Sequence, residues 1–206
     1  MSPDEKAHAD SKGITLIEMP IALDAFIFIV NPENPVTSLT IKQIQDIYTG
    51  KITNWNEAGG NDLEIRPFLR NANSGSQELM ESLVMKDIDG IWFPDNPEAS
   101  KTQIISSMVP VFDHVTQYED SICYTIYYFK ETMLKNYTRS ATKTIAINGI
   151  YPNEESIKNN TYSLSTEVYA VIRSDLSESS KAYKLYEFLQ TELGKDVIRE
   201  SGYLCN

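Results

Sequence analysis

The stretch Arg70-Asn71-Ala72-Asn73-Ser74-Gly75-Ser76-Gln77-Glu78 holds the residue types best able to do chemistry in this 206-residue chain. An apolar run ends at a cation, a short polar loop follows, and a Ser-Gly-Ser turn opens a stretch in which Leu79, Met80, Leu83 and Val84 recur at helical spacing. The first turn of a helix leaves backbone N–H groups without internal partners, and its dipole end is positive, so it attracts anions. Gly75 lets a ligand approach the backbone closely. The hydroxyls of Ser74 and Ser76 can donate, and Arg70 can add a bidentate, charge-assisted contact to an oxyanion. The same residues admit a structural reading: Ser74 caps the helix, Gln77 completes a capping box and Arg70 makes a surface ion pair. On the residues alone both readings stand.

Other chemistries find less support. The formal net charge of -11 argues against nucleic acid and anionic membrane surfaces, which attract Lys and Arg. It does not exclude a small anion held by locally aimed donors. His8 and His114 lie far apart, without Cys or carboxylate at zinc-site spacing, so no metal is expected. A serine nucleophile needs a nearby base, and no Gly-x-Ser-x-Gly elbow is present, so no enzyme is expected. Cys123 and Cys205 fit one disulfide or two thiols equally.

The elements that must position Arg70 and the serines read as alternating strands and helices, an α/β sheet architecture. Pro3 to Lys12 reads as a short helix. Ile14 to Val30 reads as two strand segments separated at Pro20, the second being the apolar run Ala25 to Val30, which fits a strand buried on both faces. Thr40 with Gln43 forms a capping-box pattern ahead of the stripe Ile41, Ile44, Ile47 and Tyr48, and Gly50 stops that helix. Strands are expected over Glu64 to Leu69, Ile122 to Phe129, Thr144 to Ile147 and Ser163 to Ile172. Helices are expected over Gln77 to Met85, Thr102 to Tyr118 apart from Pro110, and Ala182 to Leu193, with a separate last helix following to Glu200. Asp87 to Ser100 reads as irregular, Trp55 as a loop anchor, and Tyr124, Tyr127 and Tyr128 as core residues of one strand.

The run from Leu39 to Trp55, followed by Gly59-Gly60, resembles a segment of the phosphate-binding (PstS-like) substrate-binding proteins of ABC transporters. Arg70 and Ser74-Gly75-Ser76 follow in that family's order, with Ser76 where relatives usually carry Thr. Pro20 to Ala25, Val30-Asn31-Pro32 and Gly202-Tyr203-Leu204 are also similar to it. The resemblance implies the type II periplasmic-binding fold, two α/β lobes linked by hinge strands that close over a ligand. Residues 1–33 and 163–206 would form the remainder of the first lobe, and 34–162 the second. It implies inorganic phosphate or a similar tetrahedral oxyanion as ligand, contacted by Arg70, Ser74, Gly75 and Ser76. Asn73 and Asp24 are further candidates, Asp24 either taking a proton from the ligand or capping its turn. No cofactor or catalysis is implied. An ABC-transporter permease is the implied partner, and the implied location is extracytoplasmic, in the periplasm or at the outer face of the membrane with or without a lipid anchor. The family's opening strand and its first Gly-Ser-Thr helix start have no counterpart here, so the first lobe is expected to be incomplete, with dimerisation through it as one consequence. The alternative is a sensory, surface or scaffold protein that kept the fold and lost ligand binding.

Overall fold

The computed structural model describes residues 3–72, 74–88, 102–135 and 141–205. They divide into two compact units, residues 25–164 and residues 1–24 with 165–206.

The larger unit's main sheet has the strand order β4-β3-β5-β1-β6: β1 (Leu16–Val30), which enters this unit at Ala25, β3 (Arg66–Arg70), β4 (Gln103–Ile105), β5 (Ser121–Ile126) and β6 (Lys143–Thr144). β3 runs parallel to β4 and β5, whereas β1 is antiparallel to β5 and β6. The apolar run Ala25 to Val30 is fully buried, as its lack of alternation requires. Opposed residues of an antiparallel pair share a face, so the register Phe28↔Tyr124 puts Phe26, Phe28 and Tyr124 together. Helix α2 (Ile41–Tyr48) adds Tyr48 to this cluster, with ring centroids 5.2–6.3 Å apart in edge-on or tilted pairs. Each such buried ring contributes about 1.5–3 kcal/mol by leaving water. A short parallel pair, β2 (Ser38–Leu39) with β7 (Ala146–Ile147), and helices α4 (Met108–Gln117) and α5 (Glu154–Lys158) complete the unit.

Local signals set most boundaries here. Thr40 caps α2 and Gln43 closes the box, while Gly50 turns the chain away at φ +74°. The 3-10 turn Trp55–Ala58 is boxed by Asn54 and Glu57. Trp55 is buried and donates its Nε1–H to the Asp120 carbonyl at 2.9 Å, so it does anchor its loop. Gly60 lies so close that a Cβ there would stand 2.8 Å from Trp55 Cβ.

Four expected boundaries are corrected. Pro20 lies inside the unbroken β1, in its exposed first part, where a missing N–H costs no buried ladder bond. Gln103–Ile105 is a strand, and the following helix starts at Met108 with Pro110 in its first turn, where an N–H has no intrahelical acceptor anyway. β5 ends at Ile126, and Tyr127 and Tyr128 begin a helical turn that continues as the π-helical Phe129–Met133. A continuous apolar run cannot distinguish the two states by periodicity. The helix expected to run to Leu193, α6 (Lys181–Phe188), ends at Phe188, and the expected last helix, α7 (Glu192–Glu200), already starts behind Thr191, which caps it through its Oγ1. Residues 89–101, most of the stretch read as irregular, lie outside the described residues.

The smaller unit pairs β8 (Ser165–Arg173) with β1 and adds α1 (Pro3–Ser11), α6 and α7. Leu23 N–H donates to Leu204 O at 2.7 Å, tying the chain end to the strand. Its buried apolar side chains are Ala9, Ala22, Leu23, Ile198 and Leu204.

Candidate oxyanion site

Arg70 is the last residue of β3, a strand with parallel neighbours on both sides. The carboxyl ends of such strands are where α/β sheets present ligand sites. The loop then turns through a hydrogen bond from Ser74 N–H to Asn71 O at 2.9 Å. Helix α3 (Gly75–Leu79) begins there and continues as π-helical turns over Met80–Met85.

Arg70 is only 6% exposed, so the surface ion pair of the structural reading is not what forms. Its Nε–H donates to the Ile105 carbonyl on β4 at 3.1 Å, which fixes the guanidinium plane. Its Nη1 is buried and has no hydrogen-bond partner, and among the described residues Arg70 forms no ion pair. Burial pulls the guanidinium pKa below its ordinary value, yet arginine stays charged in proteins. A desolvated cation with an idle donor is costly unless an anion meets it.

The helix start is equally unspent. Ser74 sits at the N-cap with φ -90° and ψ 131° but makes no side-chain capping bond. Gln77, the expected box partner, instead accepts the Tyr124 hydroxyl proton at Oε1 and donates Nε2–H to Glu81 Oε1 at 3.0 Å. The capping box of the structural reading is therefore absent. Gly75 is exposed, and a Cβ there would meet nothing within 4 Å, so its side is open to a ligand rather than strained. Ser76 is buried one residue further on. Arg70, Ser74, Gly75 and Ser76 thus belong to one strand–loop–helix segment of one unit. Asn73 lies outside the described residues. Asp24 is buried on β1 in the smaller unit and is already engaged by other groups.

Two neighbours escaped the sequence reading. Tyr124 is a core ring, as expected, but its Oη also accepts Arg70 N–H at 3.0 Å. Burial pushes its hydroxyl pKa well up, so it remains a protonated donor. Asn71 Oδ1 is buried without a partner beside the cation in sequence. Nothing in a Tyr fifty-four residues away marks it as a strand-end partner, since only the β3–β5 pairing brings it there. His114 packs against Phe68 at 5.3 Å and Tyr118 at 6.4 Å between ring centroids. Among the described residues no group of three His, Cys, Asp or Glu could hold a metal ion, and no helix is long and apolar enough to cross a membrane. Cys123 and Cys205 are both free thiols.

A family model described as a PBP superfamily domain matches residues 1–192. The phosphate-binding protein PstS of Borreliella burgdorferi is 27% identical over 190 residues, covering 91% of this chain and 65% of that protein. The chain thus spans less than two thirds of that relative's length. Among solved structures, an ABC-type phosphate transport receptor from Vibrio cholerae is 27% identical with a TM-score of 0.73, covering 93% of this chain and 73% of that one. A structure from Clostridium perfringens with bound phosphate is 26% identical with a TM-score of 0.76, covering all of this chain and 76% of that one.

Proposed function

The chain belongs to the PBP superfamily, and from that premise we propose that it binds phosphate or a similar tetrahedral oxyanion as the solute-binding part of an ABC uptake system. The observation that carries the reading is Arg70: a buried cation with an idle Nη1, without an ion pair among the described residues, followed at once by an uncapped helix start. Arg70 supplies charge and direction. Gly75 leaves the approach open, and Ser74 and Ser76 supply hydroxyl donors beside the first-turn N–H groups. Charge-assisted bonds of about 1.5–3 kcal/mol each add to a helix-end term of about 0.3–2 kcal/mol. The ligand is held and released, not transformed.

The rest of the reading rests on the resemblance. Residues 1–33 with 163–206 and residues 34–162 act as the two lobes. An ABC permease receives the ligand, and the protein works outside the cytoplasm. In the smaller unit Tyr169, Leu185, Leu193 and Val197 stay exposed, which favours a dimer through that unit; sedimentation velocity giving a monomer at micromolar concentration removes this part.

Isothermal titration of the chain with phosphate, with sulfate and chloride as controls, tests the reading. Saturable, one-to-one phosphate binding is expected. A folded chain that takes up no tetrahedral oxyanion at millimolar concentration refutes it.

A further inference from the structure

Among the described residues three capping boxes are complete, at Thr40/Gln43, Asn54/Glu57 and Asn153/Ser156. Ser74/Gln77 has fitting residue types at the same spacing, yet its box is not made. The bond that Gln77 would give the box is diverted at both ends. Ser74 N–H, which Gln77 would accept, is taken by Asn71 O at 2.9 Å. The Gln77 side chain is held away by Tyr124 O–H at its oxygen and by Glu81 Oε1 at its nitrogen, a pair of contacts that also fixes which end of the amide is which.

Tyr124 reaches in the other direction as well. The β3–β5 ladder pairs Arg66 with Ser121 and Pro67 with Ile122. Further along, Arg70 N–H is received at 3.0 Å by the Tyr124 hydroxyl instead of by a β5 carbonyl. One hydroxyl therefore accepts from the residue that carries the cation and donates to the third residue of the helix that starts beside it. Tyr124 and Gln77 are both almost wholly buried, so neither bond has water as a ready substitute.

We propose that Tyr124, acting through Gln77, is a positioning residue of the oxyanion site: by withholding Gln77 from the cap it keeps Ser74 Oγ and the first-turn N–H groups available to the ligand while fixing the end of β3 against the helix start. The proposal rests on the oxyanion reading. Without the tyrosine hydroxyl, Gln77 is released to compete with Asn71 O for Ser74 N–H and to draw the helix start toward the box that its spacing with Ser74 prescribes, and the ligand must then compete with the cap. Glu81 would be left holding one end of a freed amide, a half-buried i,i+4 contact too weak to prevent this.

Tyr124→Phe keeps the ring that packs on Phe26, Phe28 and Tyr48 and removes only the hydroxyl. Phosphate affinity is expected to fall about 2- to 30-fold, the equivalent of one serine cap. In a Ser74→Ala background, where no box can form, the same substitution is expected to cost almost nothing further. An equal loss in both backgrounds would mean general loosening and overturns the proposal, as does unchanged affinity. Amide hydrogen exchange without ligand separates this from the functional reading. Gln77 N–H is expected to exchange fast in the wild type, unlike Gln43 N–H, which Thr40 Oγ1 caps at 3.1 Å, and to become protected in Tyr124→Phe. A wild-type Gln77 amide as protected as that of Gln43 overturns the proposal even if Tyr124→Phe does not fold. A wild type that ignores phosphate but shows the expected exchange pattern overturns the functional reading alone.

Discussion

Replacing Arg70 with methionine should separate binding from stability. Methionine follows much of the arginine stem but removes the charge, the Nε–H donated to Ile105 O and the idle Nη1. For the unliganded protein two effects oppose: relief from a buried cation without an ion partner, and loss of one hydrogen bond to a buried carbonyl. Each is worth about 1–3 kcal/mol, so stability in urea should change by less than about 2 kcal/mol. For the complex nothing offsets the loss. One charge-assisted bond through Nη1 is worth about 1.5–3 kcal/mol, and at ~1.4 kcal/mol per tenfold the phosphate Kd should rise about 10- to 150-fold. Titration gives the Kd, and urea unfolding without phosphate gives the stability of the same sample. Arg70→Lys, which keeps the charge but not the planar fork, should fall between the two. A Kd unchanged within about threefold, or a loss of unliganded stability above about 3 kcal/mol, would refute the reasoning, because Arg70 would then be a structural cation.

Gly194→Ala should destabilise the smaller unit by more than about 1 kcal/mol in thermal unfolding, because the new Cβ would stand 2.1 Å from Phe188 O, a backbone atom no rotamer can move. Trp55→Phe should cost about 1–3 kcal/mol in urea, since it removes one of the two 2.9 Å donors to the Asp120 carbonyl, leaving Arg66 N–H, and opens space at a buried site. Above about pH 9 the fold should weaken. Burial pushes the Cys123 thiol from 9.0 up to about 12, and pushes Tyr48 and Tyr124 well above 10.0. The unfolded chain therefore loses these protons first, so this stability is fully present below about pH 9 and drains away as pH rises toward the folded values. Circular dichroism across that range should show Cys123→Ala losing less stability than the wild type just above pH 9, and parallel curves would contradict the assignment.

Short-range signals carried much of this protein. The box at Thr40/Gln43, the turn at Gly50 and the buried run Ala25 to Val30 are decided by a few adjacent residues, because caps, glycine turns and unbroken apolar runs act over one helical turn or one strand. The segment from Arg70 to Ser76 was legible as a strand end meeting a helix start for the same reason. Spacing misled where two states share one pattern. Gln103–Ile105 pairs with β3, and Tyr127-Tyr128 turns helical, although neither run announces its state by periodicity. Above all, the residues Ser74 and Gln77 prescribe a capping box that the fold does not build. Asn71 O takes Ser74 N–H, and Gln77 is drawn off by a hydroxyl from Tyr124, forty-seven residues along the chain, delivered by the neighbouring strand. Sequence thus determined which groups could meet an anion. Tertiary structure alone decided that Arg70 is buried with an idle nitrogen and that the cap stays open, since both depend on which distant groups compete for the same hydrogen bonds.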